Sequence, residues 1–267
     1  MLGFGVAILS ILVISVLMSM TGRGGGNFYV PVLVACGLPI LQAATSAQCI
    51  LVCTAVTAAL VFQKSRMIDW KLAMVIDPPT DVMALVGGYY AHLLPGEVLK
   101  FVFSGLLVLA GFFMLHPAQE QSLSNRKRFG FWRRKFGEHE YTVNLRLALP
   151  ITTATGLVAG MVGISGGSFK VPLMVLGCGV PMRVAVGTSS AMVAATAFMG
   201  LVGHSAAGDF DASWAIPMGI TAVTGGLLGG LFSLKTQPKN LKKIFAYTTL
   251  VAALFMLINA WLSFGSI

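Results

Sequence analysis

The sequence predicts an all-α integral membrane protein built from two homologous halves, each with four long transmembrane helices and one short interrupted segment. Three observations predict it. Hydrophobic residues make up 56% of the 267 and charged residues only 10%, where a soluble domain carries about 25% charged. The apolar runs reach the roughly 20 residues that a helix needs to cross a bilayer, and many lack the polar face of a soluble helix. The chain also repeats its own motifs in the same order.

Eight long apolar segments run at about 2–20, 41–62, 71–94, 98–116, 145–163, 184–203, 213–233 and 241–264. The first lacks a basic leader and a small-residue cleavage site, so it is expected as a retained span rather than a signal peptide. Two shorter stretches, about 28–38 and 169–180, are bracketed by glycine and proline. Ten helical residues rise only about 15 Å, half the hydrocarbon thickness.

The formal charge of +9 invites a nucleic-acid partner. The basic residues instead sit in short connections between spans, the largest group being Asn125–Glu140. That placement is the positive-inside pattern of cytoplasmic loops, with contact to anionic lipid as a further role. No nucleic-acid partner is expected.

The repeat pairs GGNFYVP (Gly25–Pro31) with GGSFKVP (Gly166–Pro172), and Met20 and Gly22 with Met161 and Gly163. Further on, GLPILQAATS (Gly37–Ser46) pairs with GVPMRVAVGTS (Gly179–Ser189), with small shifts. PPTDVMALVGGYYA (Pro78–Ala91) parallels IPMGITAVTGGLLGG (Ile216–Gly230), sharing a proline and a glycine pair. The division is a first repeat at 1–116, a basic cytoplasmic loop at 117–144 and a second repeat at 145–267. If each short segment crosses the membrane, Arg23, Lys64, Arg66, the basic loop, Arg183 and the Lys235–Lys243 group share one side. Glu97, Asp209 and Asp211 then lie on the other. Re-entrant short segments would break that charge asymmetry. An odd number of crossings inverts one half relative to the other and puts both termini outside.

Inverted repeats with interrupted segments at matching positions describe many secondary transporters, and the interruptions point to the substrate site. Non-helical backbone cannot face lipid, so Gly24, Gly25, Gly26, Gly166 and Gly167 are expected inside the protein or along a watery cavity. The N–H groups of the short helix that follows favour anions. The competing reading is that the glycines only let helices pack closely. Asn27 and Ser168 add polarity or serve as N-caps, and Pro31 and Pro172 suit an early helical turn. Lys170, the partner of Tyr29 in the repeat, either contacts an anion or snorkels to the interface. Thr45, Ser46, Gln48, Thr188, Ser189 and Ser190 lie near the starts of long helices, where hydroxyls either bind an oxyanion or cap the helix.

Asp77 and Asp81 lie within an apolar span, on one face if the helix continues past Pro78 and Pro79. A carboxylate at the bilayer centre costs about 2.5–3.5 kcal/mol on insertion scales. Proton carrier, counter-ion to Lys170 or Arg23, and partner of proline-freed backbone are the roles open to them. Cys36, Cys49, Cys53 and Cys178 form no metal-ligand pattern with histidine and read as small buried hydrophobes, with a thiol role toward a sulfur substrate as the alternative. His92, His116, His139 and His204 match no metal spacing. No nucleophile has a base beside it, and no P-loop is present. No cofactor, metal or catalysis is expected.

These duplicated motifs, each followed by a proline and a Thr-Ser element, resemble those of the TauE/SafE family of membrane permeases over nearly the whole chain. The resemblance implies ATP-independent transport of a small sulfur-containing or organic anion, such as sulfite or sulfoacetate. It also implies a plainer apolar helix where this chain has Asp77-Pro78-Pro79 and Asp81. The expectation is a secondary transporter of the cytoplasmic membrane, with proton coupling by Asp77 and Asp81 left open and an uncoupled anion pore as the alternative. Its partners are the anion and the bilayer, with oligomeric state left open.

Overall fold

The computed structural model describes residues 2–93, 105, 108, 111, 112, 130–163, 166–208 and 210–264. Apart from those four residues, the segment at 98–116 lies outside them, as do the basic loop up to 129, Glu97, His116 and Asp209.

Helix α1 (Leu2–Met20) ends at a turn through Gly22, and α2 (Gly26–Ala35) follows as a short helix. α3 (Ile40–Lys64) runs 25 residues from its N-cap Pro39. α4 (Trp70–Ile76) and α5 (Pro78–Tyr89) replace the single span expected at 71–94. They meet at Asp77, whose φ of −88° and ψ of −37° keep the chain close to helical direction. The second half holds α6 (Leu145–Val162), short α7 (Gly167–Pro172), α8 (Met182–Ala206), α9 (Ala212–Lys235) and α10 (Pro238–Phe264). α7 continues into a wide π-type turn at Leu173–Gly177. α8 also runs 25 residues from an N-cap proline, Pro181. Among the described residues, five helices (α1, α3, α6, α8 and α9) are long and apolar enough to cross a membrane.

The chain is not wholly helical. Within the expected basic loop, β1 (Phe131–Phe136) and β2 (His139–Asn144) pair antiparallel, from Phe131 opposite Asn144 to Phe136 opposite His139. Gly137, with φ of 57°, turns the hairpin. Tyr141 and Val143 point inward into the core around Met67, Leu72, Met174 and Cys178. The run of cations had hidden the period-2 alternation that marks a strand.

Packing joins the halves. α3 lies against α8 and α9, and α8 against α3 and α5. α1 packs on α9, and α6 on α5. Small residues permit these close approaches, as they do in membrane bundles. Gly87 and Gly88 face α6 and α8, while Gly225 and Gly226 face α1 and α3.

Charge gathers at one end. Asp69 caps α4 and its backbone N–H donates to Thr188 near the start of α8. Arg134 of the hairpin reaches Asp69 at 2.9 Å. Arg183 donates to the carbonyl of Thr236, just past α9. The hairpin, Arg183 and Lys235 therefore share one end of the bundle.

Candidate functional site

The two glycine motifs meet. Asn27 Nδ2 donates to Ser168 Oγ at 3.0 Å, and these are equivalent residues of the two copies. Each is 2% exposed or less. Neither caps its helix, because the N-cap positions belong to Gly25, at φ of 104°, and Gly166. Asn27 and Ser168 fall one residue into their helices, so their side chains turn toward each other. The prolines also sit deeper than an early turn. Pro31 lies inside α2, and Pro172 ends α7. A proline cannot bond the carbonyl four residues back, which here belongs to Asn27 or Ser168.

The glycines pack tightly around this point. A side-chain carbon at Gly167 would lie 3.0 Å from Arg23 Cα and 2.7 Å from Val193 Cγ2. One at Gly24 would crowd Leu51 of α3 and Val193 of α8. Ser189 donates to the carbonyl of Gly22 at 2.8 Å, tying α8 to the first motif.

Arg23 makes contacts that the sequence alone does not reveal. It is 1% exposed. Its guanidinium donates to Ser168 Oγ at 3.2 Å, to Thr248 and Thr249 hydroxyls at 2.9 and 2.8 Å, and to the carbonyl of Phe245. It also stacks over the Phe245 ring, 4.8 Å from the centroid. The signal for its burial was available: like Lys170, it is a cation within a duplicated motif between apolar stretches.

Lys170 does not snorkel. It is buried, ion-paired with Asp77, and its ammonium donates to Thr196 Oγ1 at 2.6 Å and to the carbonyl of Met192. Thr196 in turn donates to Asp81 Oδ1 at 2.7 Å. The break between α4 and α5 thus brings both carboxylates of the first half to the lysine of the second. Tyr29, the counterpart of Lys170, bonds Thr54 at 3.2 Å instead. Thr54 and Thr196 stand at the same distance beyond Pro39 and Pro181.

The other polar candidates divide. Thr45 and Ser190 bond back to carbonyls of their own helices, Leu41 and Val186. Thr188 is engaged by Asp69. None caps a helix, since prolines hold those positions. Ser46 Oγ, Gln48 Oε1 and Asn27 Oδ1 are buried without a hydrogen-bond partner among the described residues, whereas most buried polar atoms have one. Gln48 lies across Gly200 of α8. Cys36 and Cys178 follow the two short helices, and Cys49 and Cys53 face Gly219 of α9; all four are free thiols. Among the described residues, no cluster of three or more His, Cys, Asp and Glu could hold a metal.

Away from this centre, Asp69 holds the hairpin. Its carboxylate accepts from Arg134 Nε and Nη2, from Tyr141 and from the backbone of Lys71 and Leu72. Burial alone would push the carboxyl up, but these donors outweigh it and hold it below its ordinary range.

A helical bundle of membrane-spanning length, with buried charges where two short helices begin, defines an integral membrane protein with an internal polar site. The chain belongs to the sulfite exporter TauE/SafE family, whose sequence profile matches residues 7–256. It is 25% identical over 239 residues to a probable membrane transporter protein, YunE, of Bacillus subtilis (strain 168), covering 85% of this chain and 87% of that one. It is 24% identical over 202 residues to a probable membrane transporter protein of Xylella fastidiosa (strain Temecula1), covering 73% and 71%. No solved structure matches the chain with significance.

Proposed function

We propose that the protein is a secondary transporter that moves a small anion, such as sulfite, sulfoacetate or a related organic anion, across the cytoplasmic membrane. The observation that carries this is the meeting of Asn27 and Ser168. A contact between equivalent residues puts both motifs at one place, so a single substrate can engage both halves. Gly24, Gly25, Gly26, Gly166 and Gly167 bring the backbone close, and Ser46 and Gln48 offer unsatisfied polar atoms on α3.

The packing supports two inverted halves of residues 1–116 and 145–267, joined by the basic connection at 117–144. The largest contacts between the halves come in matching pairs: α1 on α9 as α6 on α5, and α3 on α9 as α8 on α5. The gathering of Arg183, Lys235 and the hairpin at one end supports short segments that cross and a basic cytoplasmic face. Rocking of one half on the other gives alternating access.

Lys170, Asp77 and Asp81 supply the coupling in this reading. With Asp77 on its ammonium, Lys170 serves the proton step rather than direct substrate contact. The test is sulfite flux in proteoliposomes. Saturable uptake, counterflow against internal sulfite and stimulation by a proton gradient are expected. Flux that neither saturates nor exchanges would make the protein an uncoupled pore.

A further inference from the structure

We infer that Thr196 is the positioning residue of proton coupling: its hydroxyl responds to the charge of Asp81 and passes that response, through Lys170, to the junction of the two motifs. The inference rests on the proton-coupled transport reading above and names the group that links the acid to the short helix α7.

A threonine hydroxyl has one proton to give. At Thr196 two acceptors compete for it: Asp81 Oδ1 at 2.7 Å, and the carbonyl of Met192, one turn back on α8, at 2.9 Å. The hydroxyl oxygen meanwhile accepts from the Lys170 ammonium at 2.6 Å, and that ammonium reaches the same Met192 carbonyl at 3.3 Å. An ionised carboxylate is the stronger acceptor, so the hydroxyl serves Asp81 while that group is charged. A proton taken up from water by Asp81 forms an O–H bond and removes the charge. Thr196 keeps its own proton and turns it to the Met192 carbonyl. There it competes with Lys170, and the ammonium is left to Asp77, its ion-pair partner. Lys170 is two residues from Ser168, which meets Asn27 of the other motif. A shift of the lysine therefore reaches the place where the halves join.

The first half displays the turned-over arrangement. Thr54 stands where Thr196 stands in the repeat, and Ala215 and Gly219 stand where Asp77 and Asp81 do. With no carboxylate opposite, the Thr54 hydroxyl donates to the carbonyl one turn back, that of Ile50, at 2.8 Å. Tyr29, the counterpart of Lys170, bonds it at 3.2 Å. This is the geometry that Thr196 takes once Asp81 is neutral, and it confines proton sensing to one of two otherwise matching sites.

Among the described residues, the charged groups facing Thr196 are Asp77 and Asp81 from the α4–α5 break and α5, and Lys170 from α7. Arg23 reaches α7 at Ser168, and His204 of α8 bonds the Gly160 carbonyl of α6. The lysines of α3 and α10 and Arg146 of α6 lie toward helix ends.

The test uses full-length protein in proteoliposomes, with sulfite and with sulfoacetate, whose acid groups stay ionised above about pH 6, so that pH acts on the protein. Uptake is measured across pH, with and without an inward proton gradient. Thr196→Val should lower gradient-driven uptake at least about tenfold, the scale of one hydrogen bond to a charged group. It should also flatten the pH profile, as Asp81→Asn does. Thr196→Ser, which keeps the hydroxyl, should restore both. Thr54→Val should keep the wild-type pH profile at whatever rate it runs. If Thr196→Val does not fold, Thr196→Ala takes its place under the same readings. Wild-type gradient-driven uptake and pH profile in the variant without the hydroxyl would overturn the inference. So would a serine variant that behaves like the valine one, since the methyl group would then be what matters, or a Thr54→Val profile equally flat. Wild-type protein that moves neither probe, or moves them without regard to the gradient, removes the proton-coupled reading itself. A flat profile in Asp81→Asn beside a wild-type one in Thr196→Val removes only this inference.

Discussion

Lys170 and Asp77 form an ion pair between the two halves, with the ammonium fully buried and the carboxylate nearly so. Taking two charges out of water is costly, and removing one partner strands the other. Lys170→Met or Asp77→Asn alone should destabilise the protein, the lysine change by about 3–5 kcal/mol. The double variant should recover much of that loss. Melting temperatures of the four proteins in detergent measure the coupling. Additive losses would mean that the pair does not carry its charge balance internally.

Asp81 lies one hydroxyl beyond this pair, bonded to Thr196, and is less buried than Asp77. The groups facing it are Lys170 of α7, Thr196 of α8 and Asp77 at the break before α5. A proton arriving on either carboxylate changes how Lys170 divides between them. Asp81→Asn should therefore flatten the dependence of transport on pH while leaving the fold intact. A rate and pH profile matching those of the wild type would exclude Asp81 as a proton carrier.

The spans and the duplicated motifs were legible because each is local: apolar length, glycine, proline and repeat order are written in contiguous residues. Lys170, Asp77 and Asp81 were legible as residues out of place in apolar runs, though not as one cluster. Their convergence depends on α5 packing against α8, and no single segment encodes that. The contacts of Arg23 were not legible for the same reason, since its partners Phe245, Thr248 and Thr249 lie over two hundred residues away. The hairpin was missed because Arg134 looks like a loop cation until its distant partner Asp69 is in view. The hydroxyls of Thr45 and Ser190 could not be told apart from those left unpaired, because a bond back to the same helix leaves no trace in sequence.

Asp69 predicts a pH-dependent hold on the hairpin. Its carboxyl titrates below the ordinary range in the folded protein, because the bonds from Arg134 and Tyr141 outweigh burial. A lowered folded value means that the stabilisation is fully present above the unfolded pKa of about 3.9. It is lost as pH falls through the folded value. Proteolysis at the hairpin turn should accelerate only at strongly acid pH in the wild type, read with an acid-active protease. Arg134→Ala should make the hairpin susceptible at neutral pH, and Tyr141→Phe should do so more weakly. Equal resistance of Arg134→Ala and wild type at pH 7 would show that the hairpin is held by its buried Tyr141 and Val143 alone.

Gly22 and Gly163 should tolerate no side chain, and for the same reason in each half. Both have positive φ, 72° and 75°, where an L-residue pays roughly 1–2 kcal/mol. Both also press on a long helix of the other half. A carbon at Gly22 would lie 3.0 Å from Val186 Cα, and one at Gly163 would lie 2.7 Å from Ala44 Cα. Val186 and Ala44 are each five residues beyond their N-cap proline, so the two contacts are counterparts. Backbone on the far side cannot rotate away, and the clash must separate α8 from the first motif or α3 from the second. Gly208 supplies the comparison: its φ is 92°, yet among the described residues nothing would lie within 4 Å of an added carbon. Gly208→Ala should show the conformational cost alone, a modest fall in melting temperature with transport retained. Gly22→Ala and Gly163→Ala should each lower the melting temperature much further and abolish transport. Should Gly163→Ala behave like Gly208→Ala, the close seating of the motif on α3 would be wrong, and with it the matching of the two contacts.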